Sequence, residues 1–234
     1  YVDVSGEIPW SLRLMDLHKQ AKEAKVSICP SSAVAGGYPD LLVYLASKAL
    51  QEQFGEETRK ATCYCFGGGA SAASSGGTLA TRAAMSSSSD EVRKAMADPF
   101  SLGGFIPDID RHGFKEAKIT QGTGHVTLKT RKEDGDAVLS KVTQDPTYGF
   151  FRGPHVYAYF DNRIVRRSNM LLADISNQPY GRELCFQEFA IIPPDVLMNI
   201  NAQAAKGSSS AADEQAALMA DGKYYAPGDG PPLE

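Results

Sequence analysis

The chain is 234 residues long, 42% hydrophobic and 22% charged, with a formal net charge of -4. That is enough apolar material for a buried core and too little bias for disorder. The mild acidity offers no basic face of the kind nucleic acid requires, no apolar run is long enough to span a membrane, and the first residues are not a signal peptide.

Tyr1 to Val4 reads as a strand and Ser5-Gly6-Glu7 as a turn, with Pro9 suited to the first turn of a helix. Trp10, Leu14, Leu17, Ala21 and Ala24 then recur at helical spacing, and Val26 to Cys29 forms a second strand closed by Pro30. Strand, helix, strand is the crossover unit of a parallel sheet. A loop from Ser31 to Gly37 leads to a helix starting at Tyr38-Pro39-Asp40, with an apolar stripe of Leu41, Leu42, Leu45, Leu50 and Phe54. Arg59 to Phe66 is a strand and Gly67 to Gly77 a Gly/Ala/Ser loop. Thr78 to Met85 and Asp90 to Met96 are two helices, the second stopped by Asp98-Pro99.

Past Gly103 the pattern becomes strand-like, at Ile119 to Thr120, His125 to Thr130, Val156 to Phe160, Ile164 to Val165 and Leu184 to Ile192. Lys206 to Ser210 is a linker or exposed loop, followed by a short helix from Ala211 to Ala220. The chain starts inside an apolar run without Met and stops after the turn-rich stretch Tyr224 to Pro232, so it is expected to be a piece of a longer protein.

The four cysteines, Cys29, Cys63, Cys65 and Cys185, lack metal-type spacing, and Cys63 and Cys65 share one face of a strand. They are expected to be reduced and structural, in an intracellular reducing compartment, with no metal. His18, His112, His125 and His155 are scattered. His18 is the one histidine to retain as a general-acid candidate, although a solvated helix position suits it better.

Gly67-Gly68-Gly69-Ala70-Ser71-Ala72 follows a strand and satisfies G-x-G-x-x-A, but no strand-borne acid follows at the ribose position, which favours a plain loop. Ser75-Gly76-Gly77-Thr78 precedes a helix; these residues either cap its amides or hold a carboxylate or phosphate of a ligand. Arg163, Arg166 and Arg167 could clamp an acidic group, but their charge and length favour the solvent side of an edge strand.

Several of these pieces, in this order, resemble the saccharopine-dehydrogenase-like oxidoreductase family, including its trans-acting enoyl reductase branch. The resemblance runs through Tyr1-Val2-Asp3-Val4-Ser5-Gly6-Glu7, His18 to Ala21, Ser75-Gly76-Gly77-Thr78 and Asp98-Pro99-Phe100-Ser101-Leu102. It continues through Val165-Arg166-Arg167-Ser168-Asn169, Tyr180-Gly181 leading to Glu188, and Ala226-Pro227-Gly228-Asp229-Gly230-Pro231. One loop departs from the family pattern: Ser31 to Asp40 keeps Pro39 and Asp40 but loses the family's Phe-Asp-Ser and alters the spacing.

The resemblance implies a mixed α/β chain that is the second domain of a Rossmann-type two-domain oxidoreductase, with a mixed, largely antiparallel sheet and flanking helices. Residues 1–30 would be the tail of the Rossmann-type domain, 31–205 the substrate and pairing domain, and 206–234 a linker, short helix and Pro/Gly-rich end. It implies cofactor contacts at Gly6 and Glu7 and substrate contacts at Asp40, Ser75, Gly76, Gly77 and Thr78. NADP or NAD would bind in the full-length parent, which would reduce a carbonyl, imine or enoyl group. The piece alone is expected to bind no cofactor and to be inactive. The alternative is a non-catalytic accessory subunit, docked in a larger assembly or as a homodimer, with a possible peripheral contact to a membrane.

Overall fold

A computed structural model describes residues 1–66, 81, 88–104, 115–121, 124–130, 135–198 and 220–221. They fall in two compact units, one of residues 1–65 and 91–191 and the other of 66–90 and 192–234. In the second unit, residues 194–198 are helical after Pro193, with the Leu197 amide donating to the Pro193 carbonyl at 3.0 Å.

The first unit opens with the expected parallel pairing. Val2 bridges Cys29 in parallel, with Asp3 N–H donating to Cys29 O at 3.3 Å and Cys29 N–H to Tyr1 O at 2.8 Å. The crossover between them is broken at Leu17 into α1 (Ile8–Asp16) and α2 (His18–Ala24). Its buried face differs from the expected one. Ile8 and Ser11 are buried and Leu12 and Met15 pack beside Ile8, whereas Leu17 is 40% exposed.

Helix α3 (Gly37–Phe54) follows. It buries Pro39, Val43 and Ser47, one residue per turn along a narrow seam of small and medium side chains. The stripe expected to be its core face is turned outward: Leu41, Leu42 and Leu45 are 58%, 56% and 59% exposed. Gly55, in the left-handed conformation, ends the helix as a C-terminal glycine does.

Strand β1 (Lys60–Phe66) and helix α4 (Asp90–Ala97) lie where the sequence predicts them. Strands β2 (Lys115–Gln121) and β3 (Gly124–Thr130) form an antiparallel hairpin, with Ile119 opposite Val126. After a 3-10 turn at Asp136–Val138 come the short β4 (Thr143–Gln144) and β5 (Phe151–Gly153), paired antiparallel. Helix α5 (Ala158–Ser176) and strand β6 (Cys185–Ile192) complete the described elements, and a four-stranded sheet runs in the order β1-β6-β5-β4. The chain is mixed α/β.

Helix α5 corrects two sequence expectations at once. The segments 156–160 and 164–165, read as strands, lie at and within its N-terminal half. Arg163 and Arg166, read as solvent-facing, are 0% and 3% exposed. Their charge is met by carbonyl groups in the last turn of α4 and in the turn that follows it. Arg163 donates to Met96 O at 2.8 Å and Asp98 O at 2.9 Å, and pairs with Asp136 at 2.8 Å. Arg166 reaches Pro99 O and Arg167 reaches Leu102 O, each at 2.9 Å. Planar guanidinium groups with several fixed donors can satisfy many carbonyls at once, which is what lets them stay buried.

Three apolar clusters meet around α5. Val165 packs with Val43, Tyr180 and Phe186, Phe160 with Ile8 and Leu102, and Ala158 with Leu139 and Phe189. Helix α5 is therefore the central pillar of the unit, and α3, β6, α1 and the 98–104 turn are all fixed against it.

Candidate functional site

In a parallel strand pair, the loops that leave the carboxyl ends are where ligands gather. Here those loops are Ser5-Gly6-Glu7 and Ser31 to Gly36, and both close onto α5. Ser31 Oγ donates to Ser5 O at 3.0 Å, and Ser32 N–H to Asp3 O at 2.8 Å. Gly6 faces the Phe160 ring, 3.6 Å from where its Cβ would stand. Glu7 turns its carboxylate back onto the Gly6 amide at 2.9 Å. Gly36 has φ 83° and would put a Cβ 3.0 Å from the same ring, so only glycine fits there without strain.

The Gly36 amide donates to Asp161 Oδ1 at 2.6 Å. Asp161 sits in the first turn of α5 and is 1% exposed, next to Glu188, which is also 1% exposed in mid-β6. Burial, with the adjoining Glu188 carboxylate second, pushes the Asp161 carboxyl up to about 9. Burial also works to raise Glu188, but His155, Asp161 and Cys65 outweigh it and hold Glu188 below its ordinary value. Of the two, Asp161 is shifted toward its protonated form and Glu188 toward its charged form.

Around Glu188 stand further groups with chemistry. Cys65 Sγ lies 3.2 Å from its Oε1, and His155 Nδ1 lies 3.2 Å from its Oε2. The His155–Glu188 approach lacks hydrogen-bond alignment, so both buried atoms stay without a hydrogen bond. Burial first, and the Glu188 charge second, raise the thiols of both Cys63 and Cys65, Cys65 the more strongly. All four cysteines are free thiols.

Asp40 forms a different cluster. In the first turn of α3 its Oδ2 accepts from Ser168 Oγ at 2.7 Å and its Oδ1 from Tyr180 Oη at 2.9 Å. Burial raises its carboxyl, against the two hydrogen bonds that favour the carboxylate. Burial and the Asp40 charge likewise raise the Tyr180 phenol. A cleft of about 300 Å³ opens beside them, lined by Asp40, Tyr44, Ser168, Leu171, Leu172 and Tyr180.

Of the residues expected to form a site, Gly6 and Glu7 come together with the Gly36 loop over Phe160. Asp40 does not join them: its partner Ser168 is eight residues further along α5 than Phe160, about 12 Å along the axis at 1.5 Å per residue. Ser75, Gly76, Gly77 and Thr78, like the Gly67 to Ala72 tract, lie outside the described residues. His18 is exposed on α2. The sequence reading missed the group of His155, Asp161 and Glu188. Its one available signal was an acidic residue, Glu188, inside the mostly apolar run from Cys185 to Ile192, where a charge stays only if it has buried company.

In comparisons with family models, curated proteins and solved structures, nothing matches this chain. Among the described residues, no helix is long and apolar enough to cross a membrane.

Proposed function

We propose that this chain is the substrate-side and pairing part of a nicotinamide-dependent oxidoreductase similar to the saccharopine-dehydrogenase-like family. In that reading it is the second domain of a Rossmann-type two-domain protein, and the full-length form reduces a carbonyl, imine or enoyl group with NADPH or NADH. The observation that carries the proposal is the parallel pairing of Val2 with Cys29 across a helical crossover, the unit from which dinucleotide-binding sheets are built. Tyr1, Val2, Val4 and Val26 expose 66%, 69%, 72% and 55% of their surface along this pair. Further strands and helices of a larger sheet would cover those side chains.

Gly6 and Glu7 would then stand at the mouth of that sheet. The Gly6 amide is already taken by Glu7, so contact with a cofactor would run through the carboxylate. The cofactor supplies a hydride when bound; this chain would orient the acceptor and keep water from it. The test is to express the chain together with the residues encoded upstream of Tyr1 and titrate NADPH and NADH by nicotinamide fluorescence. Saturable binding of one of them is expected, and binding of neither ends the proposal.

A second reading is favoured by one surface. Tyr38, Leu41, Leu42 and Leu45 lie at helical spacing on α3 and are 61%, 58%, 56% and 59% exposed. A stripe of that kind suits an accessory subunit docked in a larger assembly, or a homodimer. Recovery of the protein only as a free monomer from native extracts would count against it.

A further inference from the structure

Asp161 and Glu188 bring two carboxyl groups together, each 1% exposed, and among the described residues no lysine or arginine pairs with either. Negative charge buried in this way needs a shared proton or a cation beside it. Two atoms mark where a cation would sit. Glu188 Oε2 and His155 Nδ1 face each other at 3.2 Å, both buried and both without a hydrogen bond. One ligand atom each from His155, Asp161 and Glu188 lies within 4.8 Å of the other two. Tetrahedral bonds of about 2.1 Å to nitrogen and oxygen place neighbouring ligand atoms about 3.4 Å apart, so the His155–Glu188 pair is already at ligand spacing.

We propose that His155, Asp161 and Glu188 form a binding site for one divalent transition-metal ion, with zinc as the ion of choice. The imidazole and two carboxylates are a ligand set zinc accepts, with the fourth tetrahedral position left open. A site with an imidazole nitrogen among its donors disfavours calcium and magnesium, which take oxygen. The outer shell is also in place: the Gly36 amide holds Asp161 Oδ1 at 2.6 Å and fixes the orientation of that carboxylate. An ion there lets both acids ionise together and uses the two atoms the fold otherwise leaves unsatisfied. The proposal is independent of the nicotinamide reading, since either zinc or NADPH can be found to bind without the other.

The experiment uses the full chain, stripped with a chelator and titrated with zinc chloride by calorimetry, with metal content measured after dialysis. One zinc per chain is expected, with binding weakened at least ~10-fold in His155→Ala and in Glu188→Gln. His155 lies in a loop and keeps 19% of its side chain exposed, and Glu188→Gln is isosteric, so these variants should fold; zinc should raise the melting temperature of the wild type but not theirs. Cys29→Ser, at an exposed cysteine remote from these ligands in sequence, should bind as the wild type does. The proposal is overturned if the wild type retains no stoichiometric zinc, or if both variants bind it as tightly. It is equally overturned if Cys29→Ser weakens binding as much as His155→Ala.

Discussion

Gly36 donates its backbone N–H to Asp161 Oδ1 at 2.6 Å across 125 residues of chain, tying the loop ahead of α3 to the first turn of α5. Asp161→Ala would strand that buried amide and is expected to cost ~1–3 kcal/mol. Gly36→Ala would force a side chain onto φ 83° against the Phe160 ring, at a similar ~1–3 kcal/mol. Because both changes release the same loop, the double variant should lose clearly less than the sum. Urea denaturation of the four proteins measures this, and fully additive losses would show that the bond does not hold the loop.

The Asp40 cluster gives a prediction with a definite sign. Its carboxyl is raised in the folded state, mainly by burial, so the native protein holds that proton more tightly than the unfolded chain does. The associated stabilisation is fully present below the unfolded value and is lost as pH rises through the folded one. Asp40→Asn cannot titrate and loses nothing over that window. The stability of the wild type relative to Asp40→Asn should therefore fall as pH rises from the ordinary aspartate range upward. Denaturant titrations at a series of pH values test it, and a relative gain with rising pH would refute the assignment of burial as the dominant cause.

How much of this was legible follows from which contacts are local. Strands β1 and β6 were readable because they are short apolar runs, and α4 because Asp98-Pro99 stops it. Helix α5 was not. It is buried on most sides through its first three turns, which removes the polar face that a helical period requires, and Asp161, Asn162 and Arg163 inside it look like surface residues. What buries Arg163 is the carbonyl-lined segment from Met96 to Ser101, some 65 residues away along the chain, and what buries Asp161 is the Gly36 loop and Glu188. The α3 stripe misled in the opposite direction, since leucines at helical spacing reveal a face without saying which partner covers it. The group at Glu188 draws on a loop, a helix and a strand, and no spacing rule joins them.

Two glycines should respond differently to the same substitution. A Cβ at Gly181 would overlap the Thr58 carbonyl, and Gly181 also exchanges two hydrogen bonds with Asn169, at 2.9 and 3.1 Å. Gly181→Ala must push backbone apart and is expected to cost ~3 kcal/mol. Gly55 has nothing within 4 Å of its Cβ position and only its φ of 68° to object, so Gly55→Ala should cost ~1 kcal/mol. Equal losses in thermal and denaturant unfolding would mean that close approach plays no part at Gly181.

Arg163 and Arg59 carry the same charge in opposite settings. Arg59 is 82% exposed and meets Glu183 at 3.0 Å in solvent, and its replacement by alanine should change stability by less than ~1 kcal/mol. Arg163 is 0% exposed and satisfies the carbonyls of Met96, Asp98 and Tyr159 together with Asp136. Removing it leaves several buried acceptors without donors, for an expected loss of ~3–5 kcal/mol. Arg163→Lys keeps the charge but not the planar fork, so it should recover only a minor part. The loss should also appear locally, as faster proteolytic cleavage near residues 96–98 under native conditions, because Arg163 supplies several of the bonds that hold that stretch to α5. If Arg163→Lys restored full stability, charge alone would account for the site and the geometric argument for the buried fork would fall.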